Sequence, residues 1–126
     1  MILQDINRRM EMLYRTFDSY EGIGIVTGIT YEGDPVNFQF CQEDDKYARI
    51  TTNRNFSEWM EWCTGDWQAA APKIERLAAP YGVQWDSEEG KLFIRFRRNE
   101  MTLAQAVLRL QQAVAVVGAL GSNEIP

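Results

Sequence analysis

Between Val36 and Thr52 two segments of alternating residues are separated only by a short acidic turn, and that spacing constrains the fold more than any other feature. Val36, Phe38 and Phe40 alternate with Asn37, Gln39 and Cys41, the two-residue period of a strand with one apolar face. Glu43-Asp44-Asp45 is too short to carry the chain over to a parallel neighbour, so the strand predicted over Tyr47 to Thr52 returns antiparallel. Upstream, Ile23, Ile25, Ile29 and Tyr31 alternate with Gly24, Val26, Gly28 and Thr30, and Glu32-Gly33-Asp34-Pro35 supplies the turn that follows. The result is an antiparallel meander of three strands.

Helical periods surround the meander. Leu3, Ile6, Met10, Leu13 and Phe17 predict an amphipathic opening helix that Gly22 ends. Phe56, Trp59, Met60 and Cys63 share one helical face, with Asn55 or Ser57 as the cap and Gly65 as the stop. A second helix starts near Pro72, buries Ile74, Leu77, Ala78 and Tyr81, and closes at Gly82. Val83 and Trp85, a turn at Asp86 to Gly90, and Leu92, Ile94 and Phe96 read as a hairpin whose other face carries Lys91, Phe93, Arg95 and Arg97. Thr102 with Gln105 forms a capping box, opening a last helix with Leu103, Ala106, Val107, Leu110, Val114 and Val117 on one face. The predicted class is α+β in two layers: a five-stranded antiparallel sheet with helices on one face, in the order α-β-β-β-α-α-β-β-α. One domain over 1–120 and a tail over 121–126 are expected.

Composition narrows the chemistry. The 126 residues include no histidine, which removes His-based relays, His general bases and His metal ligands. Thirteen basic and 18 acidic residues give a net charge of −5, which disfavours general nucleic-acid binding. Cys41 and Cys63 form no CxxC pair, the amino terminus lacks an apolar signal core, and no charge-free run is long enough for a bilayer. A reduced, cytoplasmic protein with no membrane partner is expected.

Few residues suggest catalysis. Gly22 to Gly28 has glycines in a dinucleotide-like order, but a strand runs through it and Thr27 stands where the fingerprint needs Gly. Glu89-Gly90-Lys91, with Asp86, matches a fragment of metal-dependent nuclease sites, in which carboxylates hold Mg²⁺ and Lys steadies the phosphate. The same residues suit a plain turn. No catalytic, cofactor-binding or metal-binding residue is assigned, and no cofactor is expected.

Surface features point to binding instead. Arg95, Arg97 and Arg98, with Arg49 and Lys91, form the one basic concentration, on strands expected to share the polar sheet face. Trp62 points away from the stripe of its helix and Trp67 lies beyond Gly65, so both are candidate interface anchors. Leu108 and Val116 widen the apolar surface of the last helix, which wants burial on two sides.

From Ile50 onward the chain resembles a bacterial and prophage domain family of unknown function. The residues concerned are Thr51-Thr52-Asn53-Arg54-Asn55-Phe56, Trp59 to Gly65, Ile74-Glu75-Arg76-Leu77, Tyr81-Gly82-Val83, Gly90-Lys91-Leu92 and Leu108 to Leu120. The order of elements is also similar to the fold of type III secretion chaperones, dimers that wrap extended client segments. The resemblances imply a phage- or mobile-element-encoded protein, dimerisation and a peptide-like partner, but no activity. The resulting expectation is a non-enzymatic, homodimeric protein-interaction domain with an unidentified protein partner and Trp62, Trp67, Leu108, Val116, Arg95 and Arg97 as interface candidates. The alternatives are a metal-dependent phosphodiester hydrolase, or anionic-ligand or RNA binding by the Arg95 and Arg97 face.

Overall fold

The computed structural model describes residues 15–19 and 22–120. The start of the predicted opening helix and the tail over 121–126 lie outside them. Eight strands are described: β1 (Arg15–Ser19), β2 (Gly22–Val26), β3 (Thr30–Tyr31), β4 (Asp34–Pro35), β5 (Phe38–Gln42), β6 (Tyr47–Thr52), β7 (Gln84–Asp86) and β8 (Lys91–Arg97). The helices are α1 (Arg54–Thr64), α2 (Ala71–Ala78), which runs into a 3₁₀ turn (Ala79–Tyr81), and α3 (Leu103–Gly118). The class is α+β, as expected.

The main sheet has six strands rather than five, all antiparallel, in the order β1-β2-β5-β6-β8-β7. The added strand is β1, in the stretch around Phe17 where the apolar period predicts the last turns of a helix closed by Gly22. Phe17 pairs across from Gly24, and a Cβ on Gly24 would fall within 2.1 Å of the Phe17 ring. The bare glycine backbone thus gives the ring its seat, and this cross-strand packing outweighs the local helical period. The first strand of the meander is also broken. Thr27 Oγ1 donates to Val36 O at 2.6 Å and accepts from Ile29 N at 3.1 Å, turning the chain before the small β3–β4 hairpin. Glu32 and Gly33 at the hairpin tip both have positive φ, the geometry of a two-residue hairpin loop.

One face of the sheet is apolar. Ile23, Ile25, Phe38, Phe40, Ala48, Ile50, Leu92, Ile94 and Phe96 project from it into a single core. From the helices come Phe56 and Met60 of α1, Ile74 and Ala78 of α2, and Ala106, Val107, Leu110, Ala113, Val114 and Val117 of α3. The helix ends follow from local chemistry. Gly65 and Gly82 take left-handed conformations as stops, and Thr102 and Gln105 complete the expected capping box. The cap of α1 is Asn53, not Asn55 or Ser57: Asn53 holds the extended conformation and its side chain accepts from Phe56 N. Asn53 and Asn55 both donate their side-chain amides to Pro35 O, at 3.2 and 2.8 Å, fixing the start of α1 to β4. Among the described residues no helix is long and apolar enough to cross a membrane.

Candidate functional site on the outer face of the sheet

The helices pack on one side of the sheet, and the opposite parity of each strand forms the outer face. Register places Tyr47 opposite Arg97, Arg49 opposite Arg95, Thr51 opposite Phe93, and Cys41 opposite Arg49. Two like charges in direct register are unfavourable unless each finds its own partner. Here the guanidinium of Arg49 lies over the Phe93 ring at 4.1 Å, while that of Arg95 lies over Tyr47 at 3.8 Å. Arg97 approaches the same Tyr47 ring at 5.4 Å and donates from Nε to Tyr47 Oη at 3.0 Å. Three arginines and two aromatics therefore interleave across β6 and β8, each guanidinium taken by a ring quadrupole.

The acidic turn before β6 completes the arrangement. Arg95 Nε donates to Glu43 Oε2 at 2.6 Å, and that bond holds the Arg95 pKa above the usual arginine value. The bond from Arg97 to Tyr47 acts on Arg97 in the same direction. Asp44 accepts from the backbone N–H groups of Tyr47 and Lys46, both at 2.8 Å, and these bonds push its carboxyl below the usual carboxylate range. The Nε of Arg49 is buried and has no hydrogen-bond partner among the described residues.

Two hollows flank this lattice. One of about 220 Å³ is bordered by Cys41, Arg49, Thr51, Lys91 and Phe93. Another of about 450 Å³ lies between Asp45, Lys46, Arg97 and Arg98.

Arg95 and Arg97 thus lie together with Arg49 on one face. The remaining interface candidates sit elsewhere. Trp62 is 62% exposed and stacks on Trp59 at 5.1 Å; Trp59 stacks in turn on Tyr31 at 4.7 Å and donates from Nε1 to Gly118 O. Leu108 is 53% exposed on α3, and Val116 is half-buried. Trp67 is half-buried too: its indole lies against Gly90 and donates to Ser87 O at 2.6 Å, bracing the β7–β8 turn.

The candidate nuclease residues are engaged in that same turn. Asp86 Oδ1 accepts from the N–H groups of Glu88 and Glu89, and the Lys91 ammonium lies 3.6 Å from Glu89. Among the described residues no three His, Cys, Asp or Glu side chains gather as metal ligands.

Tyr47 and Phe93 are the site residues that the sequence reading left without a role. Phe93 carried the signal, as an aromatic at a polar-parity position in a strand otherwise marked there by Lys91, Arg95 and Arg97. No family model, curated protein or solved structure matches the chain, so the chemistry of this face is what speaks to function.

Proposed function

We propose that the chain is a non-enzymatic protein-recognition domain whose outer sheet face binds an extended, acidic segment of another protein. The observation that carries this reading is the lattice of Arg49, Arg95 and Arg97 set over the rings of Phe93 and Tyr47. Arginine and tyrosine dominate binding energy at protein interfaces, and a guanidinium fixed on a ring offers its remaining donors with little further loss of freedom. The turn Glu43-Asp44-Asp45 makes an acidic rim at one end of the face, and the chain carries net charge −5. A polyanion with charge at every step meets that rim, whereas a peptide with separated carboxylates can place them between its members. This favours protein over RNA.

A second copy docked by the same face would set arginine against arginine. Homodimerisation, which the exposed Trp62 and Leu108 support, is therefore assigned to the helical side.

Fluorescence anisotropy with a labelled peptide of alternating Glu and Tyr, against a labelled oligouridine of equal length, tests the reading. The peptide is expected to bind, and R49Q/R97Q is expected to abolish its binding. Tighter binding of the oligonucleotide, or no binding of either, overturns it. Sedimentation equilibrium of W62S/L108S against the parent chain tests the dimer, which those changes are expected to dissociate.

A further inference from the structure

A separate cleft of about 680 Å³ opens where the amino end of α1 meets the β7–β8 turn. At its inner side is Ser57, only 6% exposed, whose Oγ has no hydrogen-bond partner among the described residues. An unpaired buried hydroxyl is costly, and a ligand atom that it can bond removes the cost. Lys91 lines the same cleft with 18% of its side chain exposed, and 3.6 Å from Glu89 is too long for a hydrogen bond, so its donors are not saturated by that contact. The start of α1 adds the positive end of its dipole. The inner side therefore favours an anionic group.

The rim has the opposite character. Glu58, Glu61 and Glu89 stand around the opening, and the Arg54–Glu58 ion pair is open to solvent. A purely anionic ligand faces three carboxylates, and a purely cationic one faces Arg54, Lys91 and the helix end. A ligand with both charges matches both zones. The Trp67 indole, fixed by its bond to Ser87 O, forms a flat apolar wall between them.

We infer that this cleft binds a small zwitterion with a flat apolar group, of which an aromatic α-amino acid is the simplest form. Its carboxylate takes bonds from Ser57 Oγ and the Lys91 ammonium, its ammonium faces the rim glutamates, and its ring lies on Trp67. Lys91 also borders the smaller hollow beside Arg49 and Phe93, whereas Ser57 and Trp67 line this cleft and not that hollow.

Titration of the intact chain, followed by amide and indole NMR shifts, tests this with four probes: L-phenylalanine, phenylacetate, phenethylamine and glucose. L-Phenylalanine is expected to give saturable shifts at Ser57 and at the Trp67 indole N–H. Phenylacetate and phenethylamine, each lacking one charge, are expected to bind about tenfold more weakly. Ser57→Ala and Lys91→Gln are each expected to weaken L-phenylalanine by about tenfold. Ser57→Ala is also expected to melt no lower than the parent, which separates lost binding from lost folding. Phenylacetate or glucose binding as tightly as the amino acid, an unchanged affinity in Ser57→Ala, or no saturable shift with any probe at millimolar concentrations overturns the assignment.

Discussion

Arg49 and Arg95 are direct register partners across β6 and β8, yet their guanidinium groups part, one onto Phe93 and the other onto Tyr47. The aromatic rings are what make two cations tolerable at that spacing. Tyr47 has the larger share, since it carries the Arg95 stack and accepts the Arg97 hydrogen bond.

Replacing Tyr47 by Leu keeps apolar bulk but removes the ring face and the hydroxyl. The variant is expected to melt about 3–5 °C below the parent at low salt. The deficit should shrink when salt screens the arginine repulsion. Thermal melts followed by circular dichroism at two ionic strengths check both points, and equal deficits would show that repulsion plays no part.

Gly118 closes α3 where a better helix former would ordinarily be favoured by about 1 kcal/mol. A Cβ there would fall 1.9 Å from Tyr31 Oη, so Gly118→Ala is expected instead to destabilise by about 1–3 kcal/mol. The cost should be smaller in a Tyr31→Phe background, which lacks the nearest atom. Urea unfolding of the two single variants and the double variant measures that coupling.

Tyr31 also gives the fold an alkaline limit. Partial burial, with Cys63 acting in the same direction, raises its phenol pKa above the ordinary 10.0, and its neutral hydroxyl donates to Val114 O. A group with a raised folded pKa contributes fully below its unfolded value and loses that contribution as pH climbs through the folded one. Stability is therefore expected to fall above about pH 10. Tyr31→Phe is expected to start about 1 kcal/mol lower at neutral pH and to decline less steeply above pH 10. Urea midpoints across that range check the slopes.

Asp44 sets the matching acid limit. Its carboxyl is depressed below the ordinary 3.8 by the Tyr47 and Lys46 N–H groups, so its contribution is present above that value and disappears as pH falls through the folded pKa. Asp44→Ala is expected to be less stable than the parent at neutral pH, and the gap should close below pH 3.8. A gap that persists in acid would mean that the side chain acts through packing rather than charge.

Much of this architecture was legible because local signals and tertiary packing agree. The alternation over Tyr47 to Thr52 marks β6, Gly65 marks the end of α1, and the Thr102–Gln105 box marks the start of α3. Legibility failed where a distant residue decided the outcome. Phe17 fits a helical stripe until Gly24 offers a seat for its ring, and Asn53 takes the α1 cap rather than Asn55 or Ser57, since its backbone is extended and its side chain accepts from Phe56 N. For the candidate site, the basic strand face could be read from parity. That Tyr47 and Phe93 hold its arginines could not, because stacking depends on the register between β6 and β8. The pairing of Glu43 with Arg95 spans 52 positions and leaves no local trace.

The stack of Tyr31, Trp59 and Trp62 spans β3 and α1, and through the Trp59 bond to Gly118 it is tied to the end of α3. Two indoles at 5.1 Å and 22° lie close enough for their electronic transitions to mix. The chain thus carries its own chromophore pair, whose exciton signal in ultraviolet circular dichroism reports the geometry of α1 without any added label. Because Trp62 faces solvent while Trp59 is anchored to α3, a partner that settles on Trp62 is expected to change that spectrum.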